Sequence, residues 1–324
     1  MRFGIFCVTL YIPVNFKMMK RIVVLYVILA LAVSCGGRGT AKRAAAAPVA
    51  PQAPVSFREP AEYTYRVKAV YPHDTGAYTQ GLFWLDGYLY EGTGQNGRSE
   101  LRRVEPATGR VLQRVGLERK YFGEGIAYLG GKIYQLTWVA GRAFVYDAED
   151  FRPLRSFVYD GEGWGLTTDG EYLYMSDGSD KIYVRDAENF GVVRTLQVTA
   201  KGRPVDMLNE LEWIEGRIWA NLYLYDQVVV IDPQTGEVTG VVDFEGLQEP
   251  SDRTPETDVF NGIAYDAASG DIYVTGKNWN KLYKVEIFEK EKGEERELRK
   301  GEWEKSYTIL SGSGLSSSTA VWVP

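Results

Sequence analysis

The chain has 324 residues, of which 45% are hydrophobic, 25% charged and 13% aromatic, and 37 Lys and Arg stand against 43 Asp and Glu for a net charge of −6. That is a globular composition, long enough for one large domain or two small ones, and without a basic patch it argues against a nucleic-acid partner. Both cysteines, Cys7 and Cys35, fall in the first 35 residues and His73 is the only histidine, so thiolate chemistry and disulfides are excluded from the rest of the chain, and neither a Ser-His-Asp triad nor a His-based zinc site is expected.

The first element is a leader. Met19-Lys20-Arg21 supplies positive charge ahead of the apolar run "IVVLYVILALAVS" at 22–34, too short for a comfortable membrane span but suited to a signal-peptide core. Met18 or Met19 opens a better signal than Met1. The ending "LAVSC" resembles a bacterial lipobox, which would put a lipid on Cys35, the one expected membrane contact; plain secretion is the alternative. Residues 1–35 are therefore a signal peptide and 36–58, rich in Ala, Pro and Gly, a flexible tether. Residues 59–324 form the folded domain, expected in the cell envelope, periplasmic or anchored, and as a monomer.

Next comes a strand, "EYTYRVKAVYP" at 62–72, and after it a pattern that recurs. In "YTQGLFWLDGYLYEGTG" (78–94) an apolar strand runs into Asp86-Gly87, a common hairpin pair, and out into a strand with alternating aromatics. The same design returns in "EGIAYLGGKIYQLTW" (124–138), "WGLTTDGEYLYMSDG" (164–178), "NELEWIEGRIWANLY" (209–223) and "NGIAYDAASGDIYVTGK" (261–277), usually followed by a third strand and a turn. The second residues of the units, at 81, 125, 165, 210 and 262, are separated by 44, 40, 45 and 52 residues. A repeat of this length holding four short strands is the signature of a β-propeller blade. The expected fold is all-β, a five-bladed β-propeller closed by the 62–72 strand pairing into the last blade. The polar stretch 245–258 reads as a loop, and the Lys/Glu run 286–305 as a solvated insertion.

Equivalent positions then form rings around the propeller axis. The residue before each Gly-Leu or Gly-Ile step reads Gln80, Glu124, Trp164, Asn209 and Asn261, polar or aromatic where aliphatic core would be ordinary. A second column, closing the second strands, reads Gly94, Trp138, Gly178, Tyr223 and Lys277, with the glycines expected to leave space. The two strands of a hairpin bring both columns to one end, so a shared mouth with one carboxylate, one lysine and several aromatics is expected there.

The stretches "YTQGL", "EGTG", "FGEGIA", "QLTW", "GWGL", "LNELEW", "NGIAYD" and "TGKNW", in order from 78 to 279, resemble the plant and bacterial type of glutaminyl-peptide cyclotransferase. The resemblance implies a propeller enzyme that converts the N-terminal glutamine of peptides or proteins into pyroglutamate and releases ammonia, with no cofactor; a structural metal in the channel stays open. It also implies that Glu124 is the catalytic acid/base, and that Gln80, Trp138, Trp164, Asn209 and Lys277 line the pocket. Two positions depart from the family pattern: Tyr78 where Phe is usual, and Tyr223 where a pocket Trp is expected. With these residues one carboxyl, Glu124, would act as base and then acid, Lys277 and the Asn209 or Gln80 amide would supply oxyanion donors, and Tyr78, Trp138, Trp164 and Tyr223 would bind substrate. A lactonase-like hydrolase would need more carboxylates around the channel. The other alternative is a non-catalytic, envelope-tethered ligand-binding propeller.

Overall fold

The computed structural model describes residues 58–290. The leader, Cys35, nearly all of the tether and the chain after 290 lie outside the described residues.

Strand β1 (Ala61–Pro72) opens the domain. A first antiparallel meander follows, of β2 (Thr79–Leu85), β3 (Tyr88–Thr93), β4 (Glu100–Glu105) and β5 (Arg110–Gly116). The second holds β6 (Gly123–Leu129), β7 (Lys132–Thr137), β8 (Arg142–Asp147) and β9 (Pro153–Val158). The third holds β10 (Leu166–Thr168), β11 (Tyr172–Ser176), β12 (Lys181–Asp186) and β13 (Val192–Gln197). A small hairpin, β14 (Thr199–Ala200) with β15 (Arg203–Pro204), leads to a fourth meander of β16 (Leu208–Ile214), β17 (Arg217–Leu222), β18 (Gln227–Ile231) and β19 (Val238–Asp243). The last strands are β20 (Phe260–Asp266), β21 (Asp271–Gly276) and β22 (Lys281–Glu289). Only one 3-10 turn, Pro250–Asp252, interrupts this all-β chain among the described residues.

The expected closing strand is present. β1 pairs antiparallel with β22, from Pro72 opposite Lys281 to Tyr63 opposite Glu289, and supplies the fourth strand of the last meander. Its first residues also run parallel to β19, Ala61 opposite Gly240, and so join the last two meanders into one eight-stranded sheet. The first strands of the meanders contact one another in chain order, β2 to β6, β6 to β10, β10 to β16 and β16 to β20, and β20 returns to β2.

Period-2 alternation explains how the meanders pack. On β18, Val229 and Ile231 enter a cluster shared with the third meander, while Val228 and Val230 enter one shared with the last. On β2, Leu82 packs toward Ala264 and Tyr273 while its neighbour Phe83 packs toward Ile126 and Ile133. Each sheet is thus apolar on both faces near its first strands, which are buried over most of their length, whereas β9 and β13 are largely exposed. Trp84 stacks on Tyr273 at 4.5 Å and 4° between planes, across the first and last meanders.

The Lys/Glu run is corrected in part. Glu286, Ile287, Phe288 and Glu289 complete β22 opposite Arg66, Tyr65, Thr64 and Tyr63, because Ile287 alternates into the apolar cluster while Glu286 meets Arg66 and Lys68 at the surface. The remainder of the run lies outside the described residues.

Close approach of neighbouring first strands explains the Gly-Leu and Gly-Ile steps. Gly125 donates its N–H to Trp164 O at 2.7 Å, and a Cβ there would lie 2.5 Å from Leu166 N and 2.6 Å from Trp164 O. Backbone cannot move aside as a side chain would, so Gly125→Ala is expected to cost about 1–3 kcal/mol, as overpacked core positions do. The check is a lower urea midpoint at an unchanged m-value.

Candidate active site

The polar column sits on a repeated defect. Pairing between first and second strands slips between Thr79 and Gly81, Gly123 and Ile126, Leu208 and Leu211, and Phe260 and Ile263. A bulge places two residues opposite one and re-aims a side chain out of the alternation. Gln80, Glu124, Asn209 and Asn261 all occupy these slips, so a buried strand presents amides and a carboxyl where its alternation would place core. The fifth member, Trp164, precedes β10 and holds its place by its N–H to Ser176 O at 3.0 Å.

Glu124, Gln80 and Lys277 are all nearly inaccessible, at 4%, 4% and 3% exposure. Gln80 Nε2 donates to Glu124 Oε1 at 3.3 Å, while Gln80 Oε1 is buried without a hydrogen-bond partner among the described residues. Lys277 Nζ lies 4.9 Å from the Tyr78 ring centroid and 5.2 Å from that of Tyr223, a cation held between two aromatic faces. Tyr223 meets Trp164 edge-on at 5.5 Å. Tyr78 and Trp138 both meet Phe122 edge-on, at 6.1 and 5.8 Å. Tyr78, Gln80, Glu124, Trp138, Trp164, Tyr223 and Lys277 are thus brought into one cluster. Asn209 belongs to the same ring and is buried, with its backbone carbonyl accepting from Ser176 Oγ at 2.7 Å, but none of its side-chain hydrogen bonds reaches Glu124 or Lys277 among the described residues.

Burial decides the electrostatics. It pushes the Glu124 carboxyl well above the usual carboxylate range; Lys277 opposes the rise and Glu162 adds to it. It pulls the Lys277 ammonium down, against the attraction of Glu124 and Asp258. Among the described residues the two groups make no direct ion pair, so burial shifts each toward its neutral form. Burial, with Asp258 accepting from the Tyr78 hydroxyl at 2.8 Å, also raises the Tyr78 phenol.

One expectation changes. Gly94 and Gly178 do not open space for a ligand: a Cβ would lie 2.4 Å from Phe122 Cε1 at Gly94 and 2.7 Å from Trp164 Cζ2 at Gly178, so the aromatic walls already fill it. Trp138, at 37% exposure, is the most open of these aromatic side chains. The polar loop 245–258 ends in Asp258, which anchors Tyr78. Asn261 and Asp177 act structurally, Asn261 Nδ2 donating to Thr79 O at 3.0 Å and Asp177 accepting from Ser179 N and the Tyr183 hydroxyl, both at 3.0 Å.

Sequence reasoning missed Phe122, Glu162 and Glu210. Glu162 Oε2 accepts from Trp138 Nε1 at 2.6 Å and from Trp164 Nε1 at 2.9 Å. The signal was a second "GEG" at 161–163, a repeat of Gly123-Glu124-Gly125. Glu210 takes the place of Gly in its unit because its carboxyl accepts from Leu82 N at 3.2 Å and Ile263 N at 2.9 Å, tying β2 and β20 to β16. Among the described residues no three His, Cys, Asp or Glu side chains gather as they would around a metal ion.

Comparison with known proteins identifies the family. The profile of the family described as Glutamine cyclotransferase matches residues 38–287. A glutaminyl-peptide cyclotransferase from Arabidopsis thaliana is 36% identical over 225 residues, which cover 68% of this chain and 70% of the plant protein. The crystal structure of Myxococcus xanthus glutaminyl cyclase superposes with a TM-score of 0.67 at 34% identity, covering 72% of this chain and all of the other. The profile spanning most of the chain, the plant relative and the shared all-β frame place this protein in the glutamine cyclotransferase family.

Proposed function

We infer that this protein is a glutaminyl-peptide cyclotransferase, which closes the N-terminal glutamine of peptides and proteins into pyroglutamate and releases ammonia, with Glu124 as the proton shuttle. The observation that carries the chemistry is the buried Glu124 carboxyl, which accepts a hydrogen bond from Gln80 and feels the charge of Lys277, itself held between the Tyr78 and Tyr223 rings.

Amine and amide belong to one residue, so no second reactant is needed. The site's task is to fold the side chain into attack geometry and move one proton. The α-amine nitrogen bonds to the γ-carbonyl carbon and Glu124 takes a proton from that nitrogen. As the oxyanion collapses, the bond to the amide nitrogen breaks and Glu124 returns the proton to it, so that ammonia leaves. Lys277 and Asn209 donate to the oxyanion, and the unpaired Gln80 Oε1 accepts from a substrate N–H. Tyr78, Trp138, Trp164 and Tyr223 bind the glutamine side chain and exclude water.

The five meanders, whose first strands contact one another in a closed cycle, support the reading as a five-bladed β-propeller. The apolar run 22–34 and Cys35 support a cell-envelope enzyme, periplasmic or held by a lipid at Cys35. The test is ammonia release from a Gln-initiated peptide, with mass spectrometry for the loss of one ammonia, in the presence and absence of chelator. Equal turnover in both is expected. Binding of the peptide without turnover would favour the non-catalytic propeller.

A further inference from the structure

Glu162 lies in the loop between β9 and β10, two residues ahead of Trp164, yet it joins side chains from two different meanders. Each indole has a single polar group, its N–H donor. Both Trp138 and Trp164 commit that donor to the same oxygen, Glu162 Oε2, at 2.6 and 2.9 Å. Bonds to a carboxylate are about twice as strong as neutral ones, and two donors converging on one oxygen fix the rings relative to each other. Trp138 needs such a fixture, since more than a third of it is exposed and its aromatic contact is with Phe122 at 5.8 Å. The loop itself is pinned at the next residue, where Gly163 donates its N–H to Trp138 O at 3.0 Å.

We propose that Glu162 is a positioning residue for the cyclisation, one carboxylate oxygen setting both indoles as adjoining walls around the glutamine side chain. The proposal rests on the reading of this cluster as the glutamine pocket. It has an electrostatic consequence as well: the Glu162 charge helps to hold the proton on Glu124.

The test compares Glu162→Ala with Glu162→Gln, which keeps a neutral acceptor of similar shape. With a Gln-initiated peptide, Glu162→Ala is expected to raise KM about tenfold, with a smaller fall in kcat, as lost positioning bonds would. Glu162→Gln should keep KM within about threefold of wild type while the acidic limb of kcat/KM moves to lower pH, because Glu124 then ionises more easily. Trp138→Phe with Trp164→Phe removes the donors; added to that pair, Glu162→Ala should change KM no further. The indole N–H resonances of Trp138 and Trp164, assigned by their loss in the Phe variants, should both move upfield in Glu162→Ala. That readout needs no turnover, so it holds even if the cyclisation reading falls with an inactive wild type. Wild-type KM with unmoved indole resonances in Glu162→Ala, or additive losses on the double Phe background, would overturn the proposal. Should Glu162→Ala not fold, the resonances and pH limb of Glu162→Gln decide the matter: unmoved, they overturn it.

Discussion

Glu124→Gln is expected to leave the protein folded and to lower kcat on a Gln-initiated peptide at least about a hundredfold, with KM within about threefold, the pattern of a lost general acid–base group. The substitution removes the proton carrier and little else. The side chain keeps its size, and the amide oxygen at 124 still accepts from Gln80 Nε2. Stability gives an independent control. Burial raises the Glu124 pKa in the folded protein, so the neutral acid is the form that the fold favours. The stabilising contribution of such a group is full below its unfolded value and is lost as pH rises through the folded one. A neutral amide escapes that loss, so the variant should be at least as stable as wild type above neutral pH. Urea unfolding at pH 6 and pH 9 measures this. Full activity in a folded variant would move the proton shuttle to another group; a destabilised variant would mean that the carboxylate is needed to hold the strands.

What could be read in advance was local and periodic. Asp86-Gly87 forecast a hairpin, and both residues do adopt positive φ, 50° and 84°. The recurring units forecast equivalent positions at one end, whereas the packing of β18 on both its faces was found only in the structure. The bulges were not legible, because no residue type marks where a pairing slips; only the polar column at Gln80, Glu124, Asn209 and Asn261 hinted that alternation fails there. Glu162 was illegible for another reason. Its meaning depends on two tryptophans that come together only when meanders pack. Glu210, aligned with glycines, takes its role from Leu82 and Ile263 on two other strands, both far along the chain. The same long-range character hid the setting of His73, whose partner turns out to be the buried Glu91 of β3.

That pair carries the largest expected effect on stability. Glu91 Oε1 accepts from His73 Nε2 at 2.9 Å and Thr79 Oγ1 at 2.7 Å, and its Oε2 faces Arg102 Nε at 3.7 Å. His73 Nδ1 meets Trp279 O at 2.8 Å, and Arg102 binds Asp74 at 2.7 Å with Glu100 at 3.8 Å. Both ring nitrogens of His73 thus face acceptors, as suits an imidazolium. The network ties together Thr79, next to Gln80, and Trp279, two residues beyond Lys277. Glu91→Leu would leave His73 and Arg102 buried beside a vanished charge, and breaking one partner of such a pair costs about 3–5 kcal/mol. The pH dependence has a fixed sign. Burial alone would raise the Glu91 pKa, but His73 and Arg102 outweigh it and hold the value at about 2, so its contribution is present above the ordinary carboxylate range and is lost as pH falls toward 2. For His73, burial lowers the pKa and Glu91 more than reverses it; that contribution is full below 6.5 and is lost as pH rises through the raised value. Unfolding free energy measured from pH 3 to pH 9 should therefore show a plateau falling away on both sides in the wild type, and a lower, flatter profile in Glu91→Leu. A variant whose curve parallels the wild type, merely displaced, would show that the loss comes from packing at position 91 and that the charge network adds nothing to stability.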